Sequence, residues 1–406
     1  MNKALTYLKL DQESITAVRG IKAAGVHCGL KKSSRDLALF YSESPAAAAG
    51  VFTQNLVQAA PVLLDRARIN NPIRAVVVNS GNANACTGEK GMEDARQMAD
   101  LAAAQLHLPP EQILVCSTGV IGMPLPMDKI AAGIASAAQS LSGERQAGLD
   151  AAAAILTTDT VTKTVVYRGD LPSGSFTLAG TAKGAGMICP NMATMLAFIF
   201  TDAAISRPLL NSLFREAVDC TFNAITIDGD TSTNDTALIL ANGAASVEIT
   251  EGTPECDLFA RLLHQVCQEL AVMIVSDGEG VTKVITLEVT GAPDAAAART
   301  LARTVLNSPL VKTAFYGEDA NWGRILAALG YAGVPFDPSR VDIAIGPVRV
   351  ACRGGAIPFD EAEAKAVLQQ REIKVTVNLN AGTATATAWG TDLSHDYVSI
   401  NSSYRS

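Results

Sequence analysis

Residues 181–202 read T-A-K-G-A-G-M-I-C-P-N-M-A-T-M-L-A-F-I-F-T-D, and two turns and a strand meet in them. A glycine-spaced turn occupies 183–186, a second turn is marked by Pro190 and Asn191, and an apolar run begins abruptly after Thr194. Glycine gives the backbone freedom and Pro-Asn favours a turn, whereas the run at 195–200, closed by Thr201 and Asp202, has the length of a buried strand rather than of a membrane span. Thr194 therefore sits where a tight turn enters a core strand.

Working outward, RAVVVNSG (74–81) and ILVCSTG (113–119) are equally short and continuously apolar, as strands buried on both faces are. Ile285, Leu287 and Val289 alternate with Thr286, Glu288 and Thr290, which predicts a half-buried strand. Ile373, Val375, Val377 and Leu379 alternate in the same way, and the turn residues Asn380, Ala381 and Gly382 then lead into a Thr/Ala alternation, so this stretch reads as a hairpin. Alanine-rich helices are expected at 92–106, 128–141, 146–156, 207–220, 255–275, 294–306 and 360–370. In the one starting near 207, Ser206 can cap, Pro208 suits the first turn, and Leu209, Leu213 and Ala217 share a face expected to meet a sheet. The pattern is that of an α+β (mixed α/β) protein.

The whole chain, 406 residues with 48% hydrophobic and 18% charged side chains, can bury a large core and suggests two or three domain-sized units. A net charge of −8 gives no general attraction to phosphate backbones or anionic lipid, so neither nucleic acid nor a membrane is expected as partner. The opening residues interleave Lys3, Lys9, Asp11 and Glu13 with apolar ones, so no export signal is expected and a cytoplasmic location is. Eight cysteines without a C-x-x-C pair and four histidines without H-x-x-x-H read as reduced, mostly buried thiols with no metal site. DGDTSTND (228–235) places Gly229 second where a calcium loop needs glycine sixth, and GEDANWGRI (317–325) lacks the spacing of a phosphate-binding loop.

Two readings of Thr194 stand side by side on the residues alone. It can be an ordinary β-former entering a strand. The residues alone favour that reading over a nucleophile, although a threonine hydroxyl becomes effective when its own α-amine takes the proton, and cleavage of the chain between Ala193 and Thr194 would supply that amine.

The blocks VFTQN (51–55), AVVVNSGNANACTG (75–88), STGVIG (117–122), KGAGM (183–187), PNMATML (190–196), DGDTSTND, SDGEG (276–280) and GEDANWGRI together resemble the ornithine acetyltransferase family, the glutamate N-acetyltransferases of the cyclic arginine pathway, over nearly the whole chain. The resemblance implies a layered αββα sandwich like that of N-terminal-nucleophile enzymes, built from an α chain (1–193) and a β chain (194–406) folded together after self-cleavage. It implies Thr194 as nucleophile, and Thr118 with the Gly119 N–H as oxyanion donors. Thr157, Lys183, Thr194, Glu279, Asn401 and Ser406 would form the substrate shell, with Lys183 facing a carboxylate and Glu279 the amino groups. Ser406 departs from the threonine usual at that end. The implied reaction moves acetyl from N2-acetylornithine to L-glutamate without a cofactor, in an α2β2 heterotetramer or larger. Acetyl-CoA as a second donor is left open by the sequence, and so is the alternative of a related self-processing aminopeptidase or amidase.

Overall fold

The computed structural model describes residues 5–189 and 195–403. The chain divides into two compact units, residues 1–184, 191–219 and 231–274 in the first and residues 185–190, 220–230 and 275–406 in the second.

The first unit holds strands β1 (Thr6–Lys9), β2 (Ile21–Val26), β3 (Leu37–Phe52), β4 (Ile73–Asn82), β5 (Ile113–Val120), β6 (Lys163–Leu171), β7 (Gly174–Lys183), β8 (Leu196–Thr201), β9 (Ala204–Ile205), β10 (Thr236–Ala241) and β11 (Glu248–Ile249). Its helices are α1 (Ala60–Arg68), α2 (Gly88–Leu106), α3 (Met127–Gln139), α4 (Arg145–Ala154), α5 (Arg207–Cys220) and α6 (Pro254–Ser276). The strand order is β1-β6-β7-β8-β10-β3-β4-β5, with β2 also on β3. The 16-residue β3 serves two sheets. Its first half pairs with β2 and β4, and its second half, Ala47 to Phe52, pairs with β10.

Alternation along these strands builds the layers. Ala38, Phe40, Leu114 and Cys116 point inward to meet Phe198, Phe200, Leu238 and Leu240 of the other sheet, with the Phe40 ring 5.0 Å from Phe198 and 5.5 Å from Phe200. Leu37, Leu39, Val77, Ile113 and Val115 point the other way, onto Met98, Ala102, Ile130 and Ile134 of α2 and α3. Strands covered on both faces must be apolar at every position, which is why 74–81 and 113–119 read as continuous runs. On the far sheet, Phe259 of α6 stacks 5.5 Å from Phe176, and a Cβ on Gly180 would come within 2.8 Å of Leu270. Helix, sheet, sheet and helix thus succeed one another within this unit.

Helix α6 is long and apolar enough to cross a membrane by length and composition. Its buried Phe259, Leu263, Val266, Leu270 and Ile274 recur every three to four residues between Arg261, His264, Gln268 and Glu269, the stripe of a core helix. Helix α5 buries Leu210, Phe214, Ala217 and Val218, one residue round from the expected Leu209–Leu213 face, both of which are only half-buried.

The second unit carries β12 (Val284–Ala292), β13 (Asp342–Ile345), β14 (Val348–Cys352), β15 (Gly355–Ala356), β16 (Glu372–Asn378) and β17 (Ala384–Thr391), in the order β15-β14-β13-β16-β12-β17. Its helices are α7 (Ala295–Asn307), α8 (Pro309–Tyr316), α9 (Trp322–Gly330), α10 (Glu361–Leu368) and α11 (His395–Ser402). The expected hairpin at 373–391 is not one: β12 lies between β16, to which it is parallel, and β17, to which it is antiparallel. The turn residues bond to the bulged end of β12 instead, Leu379 N–H to Thr290 O and Ala381 N–H to Gly291 O.

Candidate active site

In the first unit, β4 and β5 run parallel and end together, Gly81 beside Gly119 and Ser80 beside Thr118. Gly119 has φ +132°, and a Cβ there would stand 2.3 Å from the Gly81 carbonyl carbon, so both conformation and space demand glycine. The Asn234 side-chain amide donates to Ser117 O (2.9 Å) and Ala83 O (2.6 Å), pinning the strand end from the DGDTSTND loop. Thr118 is thereby buried and fixed.

Lys183 closes β7 and is 2% exposed, against the surface position its loop context suggests. Its Nζ donates to Thr118 Oγ1 at 3.4 Å. A hydroxyl that accepts from an ammonium turns its own proton outward, so Thr118 is set to donate to a developing oxyanion.

Thr157 reaches this cluster through a residue that sequence reasoning missed. Its N–H donates to Asp159 Oδ2 (3.1 Å), while Asp159 Oδ1 accepts from Lys163 Nζ (2.7 Å) and from the Gly184 N–H (2.6 Å). Burial works to raise the Asp159 carboxyl, but Lys183 and Lys163 outweigh it and hold the group at about 2. The ion pair with Lys163 is fully buried and keeps the end of β7 in place. Only an aspartate among threonines, L-T-T-D-T, marked it in the sequence. A second missed carboxylate, Asp235, accepts the Met195 N–H at 3.0 Å. Ala193 and Thr194 lie outside the described residues.

The second unit assembles the other expected residues. Asn401 Nδ2 donates to Glu279 Oε2 at 2.8 Å, and the Glu279 N–H donates to Ala185 O at 2.8 Å. Gly186 leaves the room the carboxylate fills, because a Cβ there would sit 2.4 Å from Oε2. Helix α11 is docked by its cap, Ser394, which accepts from the Tyr397 N–H and donates to Gly280 O at 2.6 Å. Asp228 accepts from the N–H groups of Met187 (2.6 Å) and Ile188 (2.9 Å) and from the Tyr397 hydroxyl (3.1 Å). Burial is the main force raising the Asp228 carboxyl, and burial with the Asp228 charge raises the Tyr397 phenol. Ser406 lies outside the described residues.

The first unit therefore brings Thr118, Gly119 and Lys183 together with Thr157 at one remove, and the second brings Glu279 and Asn401 together. Chemically, the former offers oxyanion donors and a buried cation, and the latter a carboxylate and an amide suited to amino and carboxylate groups of a small substrate.

The ArgJ family model matches residues 22–406. An arginine biosynthesis bifunctional protein ArgJ of Caldanaerobacter subterraneus subsp. tengcongensis is 52% identical over 393 residues, covering 95% of this chain and 97% of its own. One of the same description from Symbiobacterium thermophilum is 52% identical over 396 residues, covering 96% of this chain and 98% of its own. A solved chain of ornithine acetyltransferase complexed with ornithine, from Mycobacterium tuberculosis, is 44% identical; the match covers 46% of this chain and 98% of that one, with a TM-score of 0.44.

Proposed function

The chain belongs to the ArgJ family, and from that premise we infer that it is an acetyltransferase of arginine biosynthesis that moves acetyl from N2-acetylornithine to L-glutamate. The observation that carries this reading is the 52% identity with bifunctional relatives over 95% of the chain. The same relatives support a second, amino-acid N-acetyltransferase activity with acetyl-CoA as donor, and they favour transfer over the aminopeptidase or amidase alternative.

The mechanism proceeds in two half-reactions. The Thr194 hydroxyl attacks the acetyl carbonyl while its α-amine takes the proton; the oxyanion is met by the Thr118 hydroxyl and the Gly119 N–H, and the C–N bond breaks as the amine's proton passes to departing ornithine. The glutamate α-amine then attacks the acetyl ester, giving N-acetylglutamate and restoring the threonine. An α-amine titrates near 8, so it can serve as base without a large shift. Lys183 holds the Thr118 hydroxyl, and Glu279 with Asn401 receives the polar ends of the substrate. The self-made α (1–193) and β (194–406) chains stay folded together and assemble as an α2β2 heterotetramer or larger, and the enzyme works in the cytoplasm, in keeping with eight free cysteines.

Intact mass and N-terminal sequencing of the purified protein, alongside product analysis with and without glutamate, test the reading. A chain beginning Thr-Met-Leu-Ala and glutamate-dependent N-acetylglutamate are expected. An active preparation holding one uncut 42.2 kDa chain would overturn the nucleophile, and acetate release unaffected by glutamate would replace transfer with hydrolysis.

A further inference from the structure

Leu156 and Thr157 lie beyond the end of α4, so the peptide group that joins them must find its hydrogen bonds outside the helix. Two charged side chains supply them. Lys31 Nζ donates to Leu156 O at 2.6 Å, and the Thr157 N–H donates to Asp159 Oδ2 at 3.1 Å. A peptide group is planar and trans, with its oxygen and its N–H on opposite sides. A cation on the one and a carboxylate on the other therefore fix how this plane is turned, and with it the backbone entering Thr157. Two residues earlier, Ala154 O accepts from the Ser80 hydroxyl at 2.6 Å, and Ser80 stands beside Thr118 at the paired ends of β4 and β5. The 154–157 segment is thus tied to the strand end that carries the oxyanion donors.

Lys31 is itself held in place. Asp36, wholly buried, accepts the N–H groups of Cys28 (2.6 Å), Gly29 (3.1 Å), Leu30 (2.7 Å) and Lys31 (2.9 Å), so the chain wraps round its carboxylate. The Lys31 stem runs along the end of β4, where a Cβ on Gly81 would come within 3.5 Å of its Cγ, and Nζ has a second acceptor in Arg35 O at 3.0 Å. Burial pushes this half-buried ammonium down to about 8; the Lys183 charge acts in the same sense, and Asp36 and Asp159 oppose both. We propose that Lys31 is a positioning residue for the substrate shell: by holding the Leu156 carbonyl while Asp159 holds the Thr157 N–H, it sets where the Thr157 hydroxyl stands. The inference rests on the reading of Thr157 as a residue that meets the substrate.

The test uses the full-length protein, with kinetics of acetyl transfer from acetylornithine to glutamate in Lys31→Met, which keeps the stem beside Gly81 but loses the donor, in Thr157→Val, and in the double variant. Each single change is expected to raise KM for both substrates about tenfold while kcat stays within about threefold of wild type. Two residues that act through one hydroxyl cannot both be lost at full cost, so KM of the double variant should lie within about twofold of the worse single one. Lys31→Arg, which keeps a charged donor, should return KM to within about threefold of wild type. A raised KM in Thr157→Val beside an unchanged one in Lys31→Met overturns the proposal and leaves the reading of Thr157 intact. Losses that multiply in the double variant overturn it too, as does an arginine variant no better than methionine. An unimpaired Thr157→Val removes Thr157 from the substrate shell, and the proposal with it; a wild type that transfers no acetyl dismisses both at once. Should Lys31→Met not fold, Lys31→Gln is compared with Lys31→Arg: KM at least about fivefold higher in the neutral variant upholds the proposal, and equal values refute it.

Discussion

The residues proposed for chemistry and those proposed for recognition live in different surroundings. Thr118, Lys163 and Lys183 of the first unit are at most 4% exposed, and the two cations compensate the buried Asp159 carboxylate. Glu279 is half-buried and Asn401 exposed, on a loop and on the last helix of the second unit. The contrast separates two tasks. Donors aimed at a developing charge gain most where water is excluded and nothing must reorganise, whereas groups that meet a soluble amino acid must first be open to solvent.

That division breaks down unless mutations sort accordingly. The largest effect is expected for Thr118→Val, which removes an oxyanion donor from a dry site: kcat falls about 10²–10³-fold with KM nearly unchanged. A variant whose loss fell in KM would move Thr118 into recognition. Lys183→Met comes next, because it strips a cation from two buried carboxylates. Unfolding free energy measured in urea should drop by about 3–5 kcal/mol, along with kcat. A loss within about 1 kcal/mol would mean that Asp159 is satisfied by Lys163 alone. Glu279→Gln should do least, raising KM for acetylornithine and glutamate about tenfold while kcat stays within about threefold. A larger fall in kcat would carry Glu279 across to the chemical side.

Much of this was written in local pattern. The seven expected helices all form, because apolar residues recurring every three to four positions report one buried face. Short helices were harder: α8, eight residues long behind Ser308 and Pro309, has too few turns for a period to emerge. The false hairpin shows the limit of turn chemistry. Asn380 to Gly382 does make a sharp turn, but whether its flanking strands pair depends on β12, some 90 residues earlier. Likewise the α5 stripe was misplaced by one residue, a matter that the neighbouring Leu209 and Leu210 cannot settle from their own sequence. Of the site, Thr118, Gly119 and Lys183 were legible as motif residues. Asp159 and Asp235 were not, since their value lies in partners 25 and 40 residues away, Gly184 and Met195.

The interleaving of β3, β7, β8 and β10 makes the fold depend on its own history. Strands β8 and β10 follow residue 194 in the chain, yet they are laced between β7 and β3, which precede it. A cut between residues 193 and 194, as proposed, would therefore part the covalent chain without parting the sheet, and the fragments would stay locked together by ladders laid down while they were still one molecule. Once melted, however, such pieces would have to find each other as strangers. The native state of a cut chain would be easy to reach once and hard to revisit, and its durability would then be a matter of how slowly it opens, not of how readily it returns.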